Sequence, residues 1–161
     1  MMIRYADDQR TGYTSTINPA LEKSPPPVLA ERLGYLLKHA QLGLGAVVEP
    51  ALAPLGLDGR QYAVLAVLVS EGPRSQQRLS ERMRVDRTTM VSLVDDLERK
   101  GFVERRRHAA DRRAYAIHVT GRGKRALERG RKAVEAAEDE LLGPLSPGER
   151  RTLKELLLKL V

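Results

Sequence analysis

Apolar residues recur at helical spacing from Val28 onward: Leu29, Leu33, Leu36, Leu37, Ala40, Leu44, Val47 and Val48. That period predicts one amphipathic helix. Gly43 and Gly45 weaken it locally, and Pro50 is expected to kink it or end a turn before Leu55-Gly56-Leu57 closes it. Asp58 with Gln61 reads as a capping box that opens a second helix. Its expected apolar face is Tyr62, Leu65, Ala66, Leu68 and Val69, and Glu71-Gly72-Pro73 stops it. Ser75 then caps a short third helix with Leu79 and Met83 facing inward. After the tight connection Arg84-Val85, Asp86 caps a fourth helix whose inward face is Met90, Leu93, Val94 and Leu97. Gly101 ends it just after Arg99-Lys100, charges that a helix C-terminus favours.

The period then changes. Residues 102–107 and 114–119 read as two strands, joined by a charged tip at 108–113. Thr120 caps a long helix running to about Leu142, and Gly143-Pro144 breaks it. Ser146-Pro147-Gly148-Glu149 is a second capping box, with proline at the first helical position. The last helix carries Leu153, Leu156, Leu157 and Leu160, a stripe it cannot bury alone. Residues 1–27 hold few apolar residues and end in Ser24-Pro25-Pro26-Pro27, which predicts an extended arm.

Composition narrows the chemistry. The chain has no cysteine, which removes disulfides, thiolate metal sites and cysteine redox sensing. The N-terminal residues lack the apolar core of a signal peptide, and no apolar run approaches the roughly 18 residues of a membrane span. A cytoplasmic protein without membrane partners is expected. The formal charge of +7 is unevenly placed. Residues 74–125 hold 15 Lys/Arg against 7 Asp/Glu, so the rest of the chain is close to neutral. A basic segment on a near-neutral scaffold is the footprint of a partner that carries many phosphates.

Two adjacent helices with a tight turn, followed by a basic β-hairpin, make the plan of a winged helix-turn-helix, in which the second helix enters the major groove of double-stranded DNA. On a helical wheel the outward line of the fourth helix is Thr88, Ser92, Asp95 and Arg99, flanked by Arg87, Thr89 and Val91. Small hydroxyl residues near the helix start suit close approach to bases and phosphates. Ser75, Arg84 and Asp86 lie at the ends of the helix pair and join this DNA-binding set. The hairpin crowds Arg105, Arg106, Arg107, Arg112 and Arg113 onto a short ribbon, an arrangement that repels itself unless an anion lies alongside. A projecting arginine suits a narrow minor groove, and Asp111 is placed to hold one guanidinium by a bidentate pair.

Residues Ser75 through Val103, then Asp111-Arg112-Arg113-Ala114 and Val119-Thr120-Gly121-Arg122-Gly123, resemble the MarR family of bacterial regulators. The most specific stretches are Val85-Asp86-Arg87-Thr88-Thr89-Met90, Leu93-Val94-Asp95 and Leu97-Glu98-Arg99-Lys100-Gly101-Phe102-Val103. The likeness extends upstream through Leu52–Leu57 and Gln61–Leu65 and covers roughly residues 28–160. It implies a mainly α fold with a small β wing (α+β), whose N- and C-terminal helices form a dimerisation region. It also implies an obligate homodimer, a palindromic operator and, often, a small anionic or phenolic effector. In the family pattern the wing pair falls on Asp111 and Arg113, the arginine entering the minor groove. Positions 92 and 96, often arginine in such proteins, are Ser92 and Asp96 here, so more of the affinity is expected from the wing and the helix ends.

The expected organisation is an arm at 1–27, a first dimerisation helix at 28–57 and a winged helix-turn-helix lobe at 58–120. The recognition helix falls at about 86–100 and the wing at about 102–119, and C-terminal helices at 120–161 complete the dimer. Leu29, Leu33, Leu153, Leu156, Leu157 and Leu160 are the expected interface residues. The resemblance places an effector pocket where the first, second and fifth helices meet the DNA-binding lobe, with Tyr35, His39 and Tyr62 as polar-tipped candidates. His39, His108 and His118 lie far apart, with no metal-ligand spacing, so neither catalysis, a metal nor a cofactor is expected. A sequence-specific regulator, read as a repressor, is the leading function. A winged-helix module for DNA architecture or protein contacts, without effector sensing, is the alternative.

Overall fold

A computed structural model describes residues 25–107 and 115–161. The expected arm, apart from its last prolines, and the wing tip at 108–114 lie outside them. The elements run α1 (Pro27–Ala30), α2 (Leu33–Leu52), a 3₁₀ turn (Ala53–Leu55), α3 (Gly59–Glu71), α4 (Gln76–Met83), α5 (Arg87–Arg99), β1 (Val103–Arg107), β2 (Tyr115–Val119), α6 (Gly121–Leu141) and α7 (Pro147–Leu158).

Most boundaries are set by side chains within three residues of the helix start. Asp58 accepts from Gln61 N at 2.8 Å, and the Gln61 amide oxygen accepts in return from Asp58 N. Asp86 accepts from Thr89 N at 2.9 Å, Thr120 from Gly123 N at 3.1 Å and Ser75 from Arg78 N at 3.3 Å. Ser146 and Glu149 complete the second capping box. Each satisfies backbone donors that the helix itself leaves free. Gly101, at φ 71°, takes the left-handed turn that ends α5.

The core joins the C-terminal end of α2 to the helix-turn-helix and the wing root. Leu52, Leu65, Leu79, Met90, Leu97 and Ile117 are fully buried, with Val64, Val94 and Val103 between them. Burying each such side chain is worth roughly 1.5–3 kcal/mol. The four residues expected inside the recognition helix, Met90, Leu93, Val94 and Leu97, are all buried. The strands pair antiparallel with Val103 opposite Val119 and Arg107 opposite Tyr115. Ile117 N also donates to Arg74 O at 2.8 Å, so the loop before α4 adds a one-residue third strand. α2 packs along α6, outside this lobe.

Four details differ from the sequence reading. The first helix is interrupted: Arg32 is extended, and α1 has no buried residue to hold it in line with α2. Leu29 and Leu33 therefore lie on separate helices. Pro50 does not end α2, which continues to Leu52 before tightening into the 3₁₀ turn. The missing donor falls in the last turn, where little helix remains to be disturbed. The buried face of α3 is Gln61, Val64, Leu65 and Leu68, while Val69 is 46% exposed. Gln61 is tolerated inside because its oxygen also accepts from Lys100 Nζ at 2.8 Å. Leu160 lies beyond the end of α7. No single described helix is long and apolar enough to cross a membrane.

Candidate nucleic-acid interface

The helix pair α4–α5 turns on Arg84, the one non-glycine residue among those described with a positive φ, at 52°. The left-handed conformation costs an L-residue roughly 1–2 kcal/mol. Here it lets Val85 N reach Ser80 O at 3.1 Å while the Ser80 hydroxyl donates to Val85 O at 2.6 Å. The turn is thereby closed from both sides, and the Arg84 side chain stays exposed.

Beyond the turn, α5 presents the polar row read from the wheel. Arg87, Thr88 and Ser92 are exposed and Thr89 is half-buried. The Ser92 hydroxyl donates to Thr88 O at 3.3 Å, a weak bond that a base edge or phosphate could replace. Asp86 caps the helix. Hydrogen bonds from the Thr89 hydroxyl and then the Thr89 N–H hold its carboxyl below the usual range. Arg99 sits at the other end of α5, paired with Asp96 at 2.6 Å.

The wing runs back along the recognition helix. Arg105 N donates to Glu98 Oε1 at 3.0 Å, and the Arg105 guanidinium reaches both Glu98 and, one turn nearer the helix start, Asp95. Partial burial opposes the charge of Arg105, but the two carboxylates outweigh it and keep the guanidinium firmly protonated. Arg105 therefore ties the wing to the helix through two carboxylates, ion pairs that depend on how β1 folds back. Arg107, two residues on, shares the strand face of Arg105 and is exposed, opposite Tyr115. Arg106 pairs with Glu104 at 2.5 Å on the other face. Asp111, Arg112 and Arg113 lie outside the described residues.

The three effector candidates do not form one group. Tyr35 and His39 stack with ring centroids 3.8 Å apart on α2, and a 3.0 Å hydrogen bond joins His39 Nδ1 to Tyr35 O. The Tyr62 ring lies instead against Gly130 of α6, where an added Cβ would meet its Cδ2 at 3.0 Å. Burial, and then the charges of Glu135 and Glu138, raise the pKa of the Tyr62 phenol, so it stays neutral. Among the described residues no group of His, Asp and Glu is arranged to hold a metal ion.

Comparison with known proteins agrees with this geometry. The MarR family pattern matches residues 55–114. A protein named for regulation of the hcr operon in Thauera aromatica is 33% identical over 133 residues, 82% of this chain and 80% of that one. The transcriptional repressor Mb2911 of Mycobacterium bovis is 30% identical over 80% of this chain and 92% of its own. Among solved structures, the repressor CouR bound to a 23-mer DNA duplex superposes with a TM-score of 0.79 at 31% identity, covering 86% of this chain and 98% of that one. Helix-turn-helix, wing and flanking helices thus recur together at matching length, and the chain belongs to the MarR family of transcriptional regulators.

Proposed function

We propose that this protein is a homodimeric repressor of a palindromic operator, released by a small anionic or phenolic effector. The observation that carries the reading is the exposed row Arg87, Thr88 and Ser92 at the start of α5, with a basic strand bolted alongside it by Arg105. A helix of this width fits the major groove, and a wing so placed reaches the adjacent backbone. Ser75, Arg84, Arg87, Thr88, Thr89, Ser92, Arg99 and Arg107 are the proposed contacts, with Asp111, Arg112 and Arg113 at the wing tip. Arg113 enters the minor groove in this reading, and Asp86 and Arg105 act by positioning.

The dimer reading rests on the terminal helices. Leu153, Leu156 and Leu157 of α7 are exposed, as are Leu33, Leu36 and Leu37 of α2, two apolar rows that a second copy of the chain would cover. Residues 28–57 and 120–161 then form the dimerisation region around the lobe at 58–120. CouR supports release by an effector, since the protein from Rhodococcus jostii RHA1 was solved with p-coumaroyl-CoA as well as with DNA. Action on the chromosome places the protein in the cytoplasm, and no catalytic role is proposed.

Selection of bound DNA followed by sequencing and footprinting tests the reading. The expected result is a discrete palindrome with half-sites about one helical turn apart. Uniform, salt-dependent coating without a preferred sequence would favour an architectural protein instead.

A further inference from the structure

Pro54 and Leu55 of the 3₁₀ turn, Phe102 and Ala126 form the apolar part of a cavity of about 260 Å³. Arg122, Arg125 and Arg129 of α6 line the rest of it. The spacing of three and four residues puts all three arginines on one face of the helix. Among the described residues none of them makes an ion pair with a carboxylate. The other arginine of the same helix, Arg131, is held by Glu128 at 2.8 Å and Glu135 at 3.1 Å, so α6 neutralises a guanidinium elsewhere and leaves these three uncompensated. Arg122 lies over the Phe102 ring, 5.4 Å from its centroid, which fixes one wall. Arg122 and Arg125 also sit in the first turns of α6, where the helix dipole opposes positive charge. All three side chains are exposed, so solvent softens their repulsion, but neighbour repulsion and the dipole still act against this arrangement, and an anion bound among them reverses both.

The cavity is separate from the proposed DNA face. Phe102 follows Gly101 at the C-terminal end of α5, roughly 15–20 Å along the helix from Thr88 and Ser92 at its groove-entering start, although Arg99, a proposed contact, lies nearer. It also includes none of Tyr35, His39 and Tyr62. We propose that it binds a phosphate-bearing small organic molecule, the phosphoryl group taken by Arg122, Arg125 and Arg129 and the apolar end resting on Pro54 and Leu55. Three guanidiniums suit a dianion better than a monoanion, and the apolar floor favours an ester over the free ion.

The test titrates the full-length protein, without DNA, with phenyl phosphate, inorganic phosphate and benzoate. Calorimetry reads affinity, and the arginine Nε–H resonances read location. Phenyl phosphate is expected to saturate one site per chain, more tightly than either other probe, and to shift the Arg122, Arg125 and Arg129 signals. The double variant R125Q/R129Q should bind at least about 10-fold more weakly, keep its melting temperature within a few degrees, and keep operator affinity and its salt dependence. R131Q, on the same helix but outside the cavity, should bind like the parent. Absence of saturable binding, equal loss in R131Q, or undiminished binding by R125Q/R129Q would overturn the site. Equal affinity for inorganic phosphate would overturn its organic half. Lower operator affinity with a shallower salt slope in R125Q/R129Q would make these arginines DNA contacts instead. Because the titration is done without DNA, it stands or falls separately from the operator reading.

Discussion

The Thr120 hydroxyl donates to Gly101 O at 2.7 Å while accepting from Gly123 N at 3.1 Å. One side chain thus caps α6 and fastens the residue that terminates the recognition helix. Thr120→Ala is expected to lower stability by about 1 kcal/mol, within the range for lost N-caps. Urea unfolding at fixed protomer concentration measures it, and Thr120→Ser should recover most of the loss. Wild-type stability in Thr120→Ala would show that neither bond matters.

Gly123 tests the same joint sterically. A Cβ there would fall well inside contact with the Phe102 carbonyl oxygen and 2.8 Å from Val119 Cγ1. The Phe102 backbone cannot yield as a side-chain tip would. Gly123→Ala should therefore cost roughly 1–3 kcal/mol, the range for overpacked sites, despite alanine's better helix propensity. A thermal melt that rises instead of falling would mean the joint is loose.

Arg84 separates folding from binding. Arg84→Gly removes the left-handed penalty and should stabilise the lobe by roughly 0.5–1 kcal/mol after the added freedom of the unfolded chain is counted. If the exposed guanidinium meets a phosphate, the same change weakens operator binding and lowers the salt slope by about 1. Opposite signs in the two measurements are expected. Unchanged affinity and slope would remove Arg84 from the interface.

Arg105 is expected to act through Asp95 and Glu98. Arg105→Gln leaves two carboxylates of α5, on the side proposed to face DNA, without a partner and frees the wing. Operator affinity should fall ~10-fold, in the middle of the range for directly coupled neighbours, and Asp95→Asn added to it should restore part of the loss. Additive losses in this cycle would mean Arg105 contacts DNA directly.

Acid should loosen the recognition helix at its start. The folded pKa of Asp86 is depressed by Thr89, so its contribution is complete above the unfolded value of about 4 and is lost as pH falls through the lower folded value. Glu71, held down by Arg82, and Glu149, held down by Ser146, act in the same direction. Carbon-detected NMR titration of Asp86 should give a midpoint below the ordinary aspartate value, and Asp86→Asn should remove that step from the acid sensitivity of α5. A midpoint at the ordinary value would contradict the cap.

What the sequence made legible is what neighbours in sequence decide. The caps at Asp58, Ser75, Asp86, Thr120 and Ser146 each need only a side chain and an amide three residues away, and each is present. The inward row of α5 followed from its period, because no polar residue interrupts it. The face of α3 came out rotated because Gln61 reads as polar, and its burial rests on Lys100, 39 residues away. The role of Arg105 and the arginine-lined cavity were hidden for the same reason. Both need elements from different parts of the chain to meet.

The pairing of α2 with α6 carries a consequence for how the chain comes off the ribosome. About seventy residues of the lobe separate the two helices, so closing them directly would be entropically slow. At roughly 5–20 residues per second, α2 waits several seconds for its partner, with the side of Leu52 that meets Gly130 of α6 still uncovered. The lobe can use that interval, since its own contacts are more local, and once folded it brings the two long helices together. Nascent chains stalled before α6 should accordingly hold a formed helix-turn-helix and an α2 that chaperones can still grip.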